Sequence, residues 1–209
     1  FIMKVFLFDI GNVLCDFDYK NLLNTYKQIS NKSVTIDTPE DQQMYNDVEA
    51  GKISDQEYVT LVNSSKNIKW TVDDLIYAWK EIFSENKIGR KLYYHAINQE
   101  TKVYTLSNIA NYHVRAINDN WPNLLSQAAG LFFSYKIGSR KPDRKIYEYA
   151  LKALDVKAHQ CFFIDDLEEN INAAKAIGMN AYQFIPENFD LIYNKANSFF
   201  SWNEKCLFD

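Results

Sequence analysis

The chain has 209 residues, of which 47% are hydrophobic, 15% aromatic and 24% charged, with 23 basic against 27 acidic residues and a net charge of −4. That is the composition of a folded protein, and the length suits one core of roughly 130 to 150 residues plus an insertion better than two independent domains. The sequence has no basic stripe for a nucleic-acid groove and no apolar stretch near the ~18 residues of a membrane span, so neither nucleic acid nor membrane is expected as a partner.

The first predicted element is a β-rich strand from Met3 to Ile10, almost wholly apolar until Asp9, the pattern of a central strand covered on both faces. Its run Phe6-Leu7-Phe8 stops at Asp9, short of a signal-peptide core. From Asp18 to Asn86 the pattern is helical only. Thr38-Pro39-Glu40-Asp41 is a helix start with proline at the first position, followed by Met44, Tyr45 and Val48. Ser54-Asp55-Gln56-Glu57 is a capping box leading to Tyr58, Leu61 and Val62. Thr71-Val72-Asp73-Asp74 starts a further helix with Leu75, Ala78, Trp79, Ile82 and Phe83 on its apolar face. Beyond the insertion, strand patterns recur at Val103 to Leu106, Leu131 to Phe133, Cys161 to Ile164 and Ala181 to Ile185. Helical faces lie between the later ones: Ile146, Ala150, Ala153 and Leu154, then Asn170, Ala173, Ala174 and Ile177 before Gly178, a C-terminal stop. The expected fold is therefore α/β, a Rossmann-like doubly wound parallel sheet formed by residues 1–17 and 87–209, with a small all-helical cap at residues 18–86.

The three cysteines, Cys15, Cys161 and Cys206, are too scattered for a disulfide framework or a metal cluster and read as reduced thiols of a cytoplasmic protein. His95, His113 and His159 lack zinc-motif spacing. Six glycines form neither a dinucleotide fingerprint nor a P-loop, so any phosphate must be held in another way.

The informative polar residues stand at strand ends, where open α/β sheets bind ligands. The first strand ends in Asp9-Ile10-Gly11-Asn12-Val13, the next core strand in Ser107-Asn108, and a later one in Asp165-Asp166, while Lys141 precedes Pro142 near a helix start. Gathered at one sheet edge, these carboxylates raise each other's pKa unless a cation intervenes. A hard dication such as Mg²⁺ takes oxygen ligands and leaves positions open for a phosphate, whose other oxygens Lys141 and Ser107 can hold. An ionised aspartate in line with phosphorus is a competent nucleophile.

Four of these segments, in order, resemble the motifs of the haloacid dehalogenase superfamily. Phe8-Asp9-Ile10-Gly11-Asn12-Val13-Leu14 is similar to the first motif and Leu106-Ser107-Asn108 to the second. Arg140-Lys141-Pro142-Asp143 with Ile146-Tyr147 is similar to the third, and Phe163-Ile164-Asp165-Asp166 followed by Asn170 to the fourth. The helical insertion sits where that superfamily places a cap, and Glu49-Ala50-Gly51-Lys52-Ile53-Ser54 is similar to a recurrent stretch of it. The first motif and the stretch from Ser107 to His113, with Ala110 and Asn111 in its middle, come closest to a bacterial sugar-1-phosphate phosphatase-like subgroup. The resemblance implies a Mg²⁺-dependent phosphatase of a small phosphorylated metabolite, sugar phosphates first, acting through an aspartyl-phosphate. It makes Asp9 nucleophile and metal ligand, adds the Gly11 carbonyl and Asp166 as ligands, and gives Asp165 a metal-bound water. Ser107 and Lys141 would bind phosphate, with the amide of Asn108 assisting. Monomer and homodimer stay open.

One position departs from the superfamily pattern. The second residue after the nucleophile, normally an aspartate that acts as general acid and base, is Gly11. The subgroup shares that absence, yet the proton donor is left without an assignment. Asp16 and Asp18 are candidates, against a plainer reading as surface aspartates that introduce the first cap helix. Gly11 also keeps open a non-catalytic phosphometabolite-binding protein on the same scaffold. A 2-haloacid dehalogenase is the third reading, and the acidic pair Asp165-Asp166 argues against it. His113 is expected on a helix surface, and Trp79 and Phe83 in the core of the cap, with one cap aromatic facing substrate as the alternative. Phe199, Phe200 and Trp202 are expected to pack the tail onto the core.

Overall fold

The computed structural model describes residues 3–202. In chain order the first half comprises β1 (Val5–Phe8), β2 (Cys15–Phe17), α1 (Tyr19–Ser30), α2 (Pro39–Glu49), α3 (Asp55–Lys66), α4 (Val72–Ile82), β3 (Phe83–Glu85) and α5 (Lys87–Asn98). There follow β4 (Lys102–Ser107), α6 (Asn111–Asn120), β5 (Gly130–Phe133), α7 (Ser134–Ile137), α8 (Arg144–Leu154), β6 (Cys161–Asp165), α9 (Glu168–Ala176), β7 (Asn180–Gln183) and α10 (Phe189–Phe200).

β1 is central because all four of its residues are apolar and buried. It pairs in parallel with β4 on one side and β6 on the other, Val5 lying opposite both Lys102 and Cys161. With β5 and β7 outside them the order is β5-β4-β1-β6-β7, all parallel. Alternate side chains of a strand face opposite ways, and β1 uses both. Phe6 and Phe8 pack with Leu92, Tyr93 and Ala96 of α5 and Ile192 and Ala196 of α10. Val5 and Leu7 pack with Ile146 and Ala150 of α8 and Ile171 and Ala174 of α9. This is the doubly wound α/β architecture expected from the sequence. The chain builds β4 and β5 on one flank of β1 and then crosses to β6 and β7, so the strand order reverses at β1 and opens a crevice beyond its carboxyl end.

Between β1 and α5 the helices α1 to α4 are set on a feature the sequence reading lacked. β2 and β3 pair as an antiparallel ribbon, Cys15 opposite Glu85 and Phe17 opposite Phe83, so the segment 18–86 is not purely helical. Phe83 continues the apolar spacing of α4, but the backbone turns extended there and the helix ends at Ile82. The capping boxes at Thr38, Ser54 and Thr71 all form. The helices share an apolar cluster of Leu22, Tyr26, Val59, Leu75 and Trp79 that runs on into Ala110, Tyr112 and Ala116 at and along α6. The insertion is therefore seated on α6 by continuous apolar contact as well as tethered by its ribbon.

Cys15 and Cys161 are buried free thiols, while Cys206 lies outside the described residues. Phe200 and Trp202 pack against Phe6 of the sheet and Phe199 against Phe162, as expected of the tail. Among the described residues no helix is long and apolar enough to cross a membrane.

Candidate active site

Parallel pairing brings the ends of β1, β4 and β6 to one rim. The Asp9 amide donates to Ile164 O at 3.0 Å, which carries the pairing one residue past β1 and sets Asp9 beside Asp165. Carboxylate oxygens of Asp9, Asp165 and Asp166 all lie within 4.8 Å of one another. Lys141 reaches into this group from the segment before α8, its side chain wholly buried. Its ammonium donates to Asp165 Oδ2 at 2.5 Å and to Leu106 O at 2.7 Å, and lies 2.9 Å from Asp9 Oδ1 in an ion contact without hydrogen-bond alignment. The Lys141–Pro142 peptide is cis.

Neighbouring side chains fix these groups. Asn108 brackets the Lys141 backbone, its Nδ2 donating to Lys141 O at 2.8 Å and its Oδ1 accepting from Lys141 N at 2.7 Å. Asp165 is fully buried and accepts from Asn170 Nδ2 on both oxygens and from the Leu167 amide. Its hydrogen-bonding capacity is thus largely spent on Lys141, Asn170 and the chain. Asp166 keeps more freedom: Asn12, in the left-handed conformation that asparagine tolerates, donates to its Oδ2 at 2.9 Å.

Three clustered carboxylates against one ammonium leave negative charge in excess. Burial is the main cause that raises the Asp9 carboxyl from 3.8 to about 7; Lys141 opposes the shift and the charges of Asp165 and Asp166 add to it. Asp166 is also raised, by burial first, with Asn12 opposing. Lys141 itself is raised, because Asp165 and Asp9 together outweigh the cost of burying its ammonium. The shifts of Lys141 and Asp9 are compatible. The lysine stays charged and bonds most closely to Asp165, so the shortage of positive charge falls on Asp9. This donor set of crowded, oxygen-only, under-neutralised groups suits a hard dication.

A cavity of about 220 Å³ opens over the cluster and is lined by Asp9, Gly11, Ser107, Asn108, Lys141 and Asp166. Asp165 lies behind this lining. The opposite wall, mostly apolar, comes from the ribbon and insertion as Phe17, Tyr45, Glu49, Trp79 and Phe83, joined by His113 of α6 and Arg140. Both cap aromatics, Trp79 and Phe83, therefore pack inside the insertion and face the cavity.

Asp16 and Asp18 stand elsewhere. Asp16 Oδ1 accepts from Asn86 Nδ2 and lines a separate cavity, and Asp18 caps α1 through the amides of Lys20 and Asn21. His113 is not on the surface, because α6 is covered on that side by α4; the ring is 3% exposed and packs among Tyr45, Trp79 and Tyr112. Its Nδ1 accepts from the Ala110 amide, and burial lowers its pKa to about 3, so it is a neutral imidazole. The sequence reading gave no role to Glu49 or Arg140, which form a largely buried ion pair in the cavity wall. Both stand in the motif stretches quoted above, but 91 positions separate them and nothing local announces their meeting.

A family model described as haloacid dehalogenase-like hydrolase matches residues 3–178. The chain belongs to that family, and its phosphatase relatives make it a phosphoric monoester hydrolase. Over 193 residues it is 23% identical to the D-ribitol-5-phosphate phosphatase of Bacteroides thetaiotaomicron, covering 89% of this chain and 93% of that one. Over 84 residues it is 39% identical to a sesquiterpene phosphatase of Aspergillus oryzae, covering 39% of this chain and 41% of the relative. Among solved structures, a family enzyme of Bacteroides thetaiotaomicron in complex with magnesium and inorganic phosphate superposes with a TM-score of 0.74 at 21% identity, covering 87% of this chain and 93% of that one.

Proposed function

We propose that this chain is a Mg²⁺-dependent phosphatase of a small hydroxylated phosphate monoester, a polyol or sugar phosphate, acting through an aspartyl-phosphate on Asp9. The observation that carries the reading is the convergence of Asp9, Asp165 and Asp166 around Lys141 under a cavity of about 220 Å³, small for a ligand site. The name of the ribitol-phosphate relative supports the same substrate class.

Asp9, Asp166 and the Gly11 carbonyl would hold the dication, which when bound supplies charge neutralisation to the phosphoryl group. Asp165, already engaged by Lys141 and Asn170, serves behind them and orients the lysine. Lys141 and Ser107 hold the phosphoryl oxygens, and Asn108 fixes the lysine backbone from which the ammonium extends. An Asp9 oxygen attacks phosphorus in line as the ester P–O bond breaks, and the alcohol leaves with a proton from its surroundings. Water then attacks the phosphorus of the acyl phosphate, releasing inorganic phosphate and restoring the carboxylate. The insertion and its aromatic side chains shield the acyl phosphate from bulk water.

The test is release of inorganic phosphate from a panel of sugar and polyol phosphates with Mg²⁺ or with a chelator, for the wild type and Asp9→Asn. Turnover that needs the metal and vanishes in Asp9→Asn supports the mechanism; turnover unchanged by that substitution removes Asp9 from it. Binding of phosphate esters with no turnover on any ester would instead favour the non-catalytic binding protein.

A further inference from the structure

Outside the carboxylate cluster, Arg140, Glu49 and Tyr45 meet in one corner of the cavity, whose lining also includes Asn12, His113 and Asn170. Arg140 Nε donates to Glu49 Oε2 at 2.9 Å, and its Nη2 lies 2.7 Å from the same oxygen in an ion contact. Tyr45, one turn earlier on α2, also bears on the Glu49 carboxylate and helps hold it. All three residues line the cavity, and Glu49 is only 4% exposed. A guanidinium has five N–H donors and a carboxylate about four acceptor positions. The contacts between the three residues leave donors on Arg140 and acceptor capacity on Glu49 and the Tyr45 hydroxyl unused.

The corner is also held in place relative to the carboxylate cluster. Glu49 O accepts from Ser134 Oγ, whose oxygen in turn accepts from the Ile109 amide, one residue after Asn108. Two residues past Glu49 the chain presses on the core at Gly51, where a Cβ would sit 2.0 Å from Tyr135 O. Arg140 itself precedes Lys141. The insertion side of the corner is thus pinned to the segments that carry the phosphate-facing residues.

From this arrangement we infer that Glu49, with Arg140 and Tyr45, is the specificity-determining corner that reads a hydroxyl on the carbon part of the substrate; the inference rests on the phosphatase reading above. A hydroxyl both donates and accepts, which matches a corner offering N–H donors beside carboxylate and phenol acceptors. An alkyl or prenyl chain would expel water from a buried ion pair and give it no hydrogen bond in return, which is unfavourable. A second anionic group would meet the Glu49 carboxylate. The aromatic side chains of Phe17, Trp79 and Phe83 remain for the C–H faces of the same substrate.

The experiment compares kcat/KM for a pentitol phosphate with that for n-pentyl phosphate in the wild type, Glu49→Gln and Tyr45→Phe. The wild type is expected to prefer the pentitol ester by at least about tenfold, and Glu49→Gln to lower that ratio about tenfold, mainly through KM. Tyr45→Phe, the milder change, is expected to lower it in the same direction and serves if Glu49→Gln does not fold. A loss shared equally by both esters would assign the pair to pinning the insertion and overturn the inference, as would a wild type that prefers the alkyl ester. If the wild type released phosphate from neither, the phosphatase reading would fall. The ratio of calorimetric Kd values for the two esters would then decide the role of Glu49 by the same criterion.

Discussion

Lys141→Met keeps the length of the side chain and removes its charge. The ammonium bonds Asp165 at 2.5 Å and Leu106 O at 2.7 Å and neutralises Asp9 from 2.9 Å, with no solvent exposure of its own. Removing one partner of a buried ion pair leaves an uncompensated charge and costs about 3–5 kcal/mol. For a chain of this size that corresponds to a fall in Tm of about 10 °C. The effect has a defined pH dependence. The Asp9 carboxyl is raised above its unfolded value of 3.8 to about 7, so folding favours its protonated form. The stability tied to that proton is fully present below pH ~4 and is lost as pH rises through ~7. Without Lys141 the burden on Asp9 grows, so the deficit of the variant should widen from pH 5 to pH 8. Urea unfolding in a chelating buffer, followed by tryptophan fluorescence, measures both quantities. A deficit under about 1 kcal/mol at pH 8, or one equal at the two pH values, would refute the idea that the lysine holds mutually repelling carboxylates together.

Other expectations follow from the same geometry. Asn108→Ala deletes both hydrogen bonds to the Lys141 backbone, so kcat should fall about 10- to 100-fold with little change in KM, measured by steady-state phosphate release. Gly51→Ala places a Cβ 2.0 Å from Tyr135 O at a φ of +66° and should cost more than about 2 kcal/mol in urea unfolding. Gly138→Ala, at a φ of +76° with nothing within 4 Å, is its control and should cost only about 1 kcal/mol.

The sheet was legible because its strands are apolar on both faces, as in Val5–Phe8, so that a polar residue such as Asp9 marks the strand end and hence the rim. The helix starts at Thr38, Ser54 and Thr71 were legible because a cap is a local bargain between a side chain and amides three residues away. Other features depend on contacts between distant positions. The β2–β3 ribbon joins three-residue strands, too short to show alternation, with Phe17 and Phe83 opposite each other across the whole insertion. His113 was misjudged because α6 is buried on two sides, His113 against α4 and Ile117 in the core cluster of the sheet, and periodicity alone assigns such a helix one solvent face too many. The Glu49–Arg140 pair was hidden because each residue stands in its own motif stretch and 91 positions separate the two until the fold brings them together.

The missing acid at Gly11 and the aromatic wall of the cavity are one structural fact. A Cβ at Gly11 would lie 3.3 Å from Phe17 Cε1, so a side chain at that position would need the ring of Phe17 to give by a few tenths of an ångström. That ring is held by the ribbon opposite Phe83 and by Trp79, whose ring centroid is 5.7 Å away. An aspartate at position 11 would press on a ring packed against two others and set its carboxylate beside them. Asp16 and Asp18, the nearest acids in sequence, are committed to Asn86 and to the cap of α1. Among the residues lining the cavity the carboxylates are Asp9, Asp166 and Glu49, and the last is tied to Arg140. In the proposed mechanism no carboxylate at position 11 reaches the leaving alcohol, and general acid assistance of about 10²- to 10⁴-fold is forgone there. On the proposed mechanism, what stands in its place is the Phe17 ring, part of the mostly apolar wall that would face the carbon skeleton of the substrate, so the absence of an acid at position 11 and the selection of substrate would meet at one side chain.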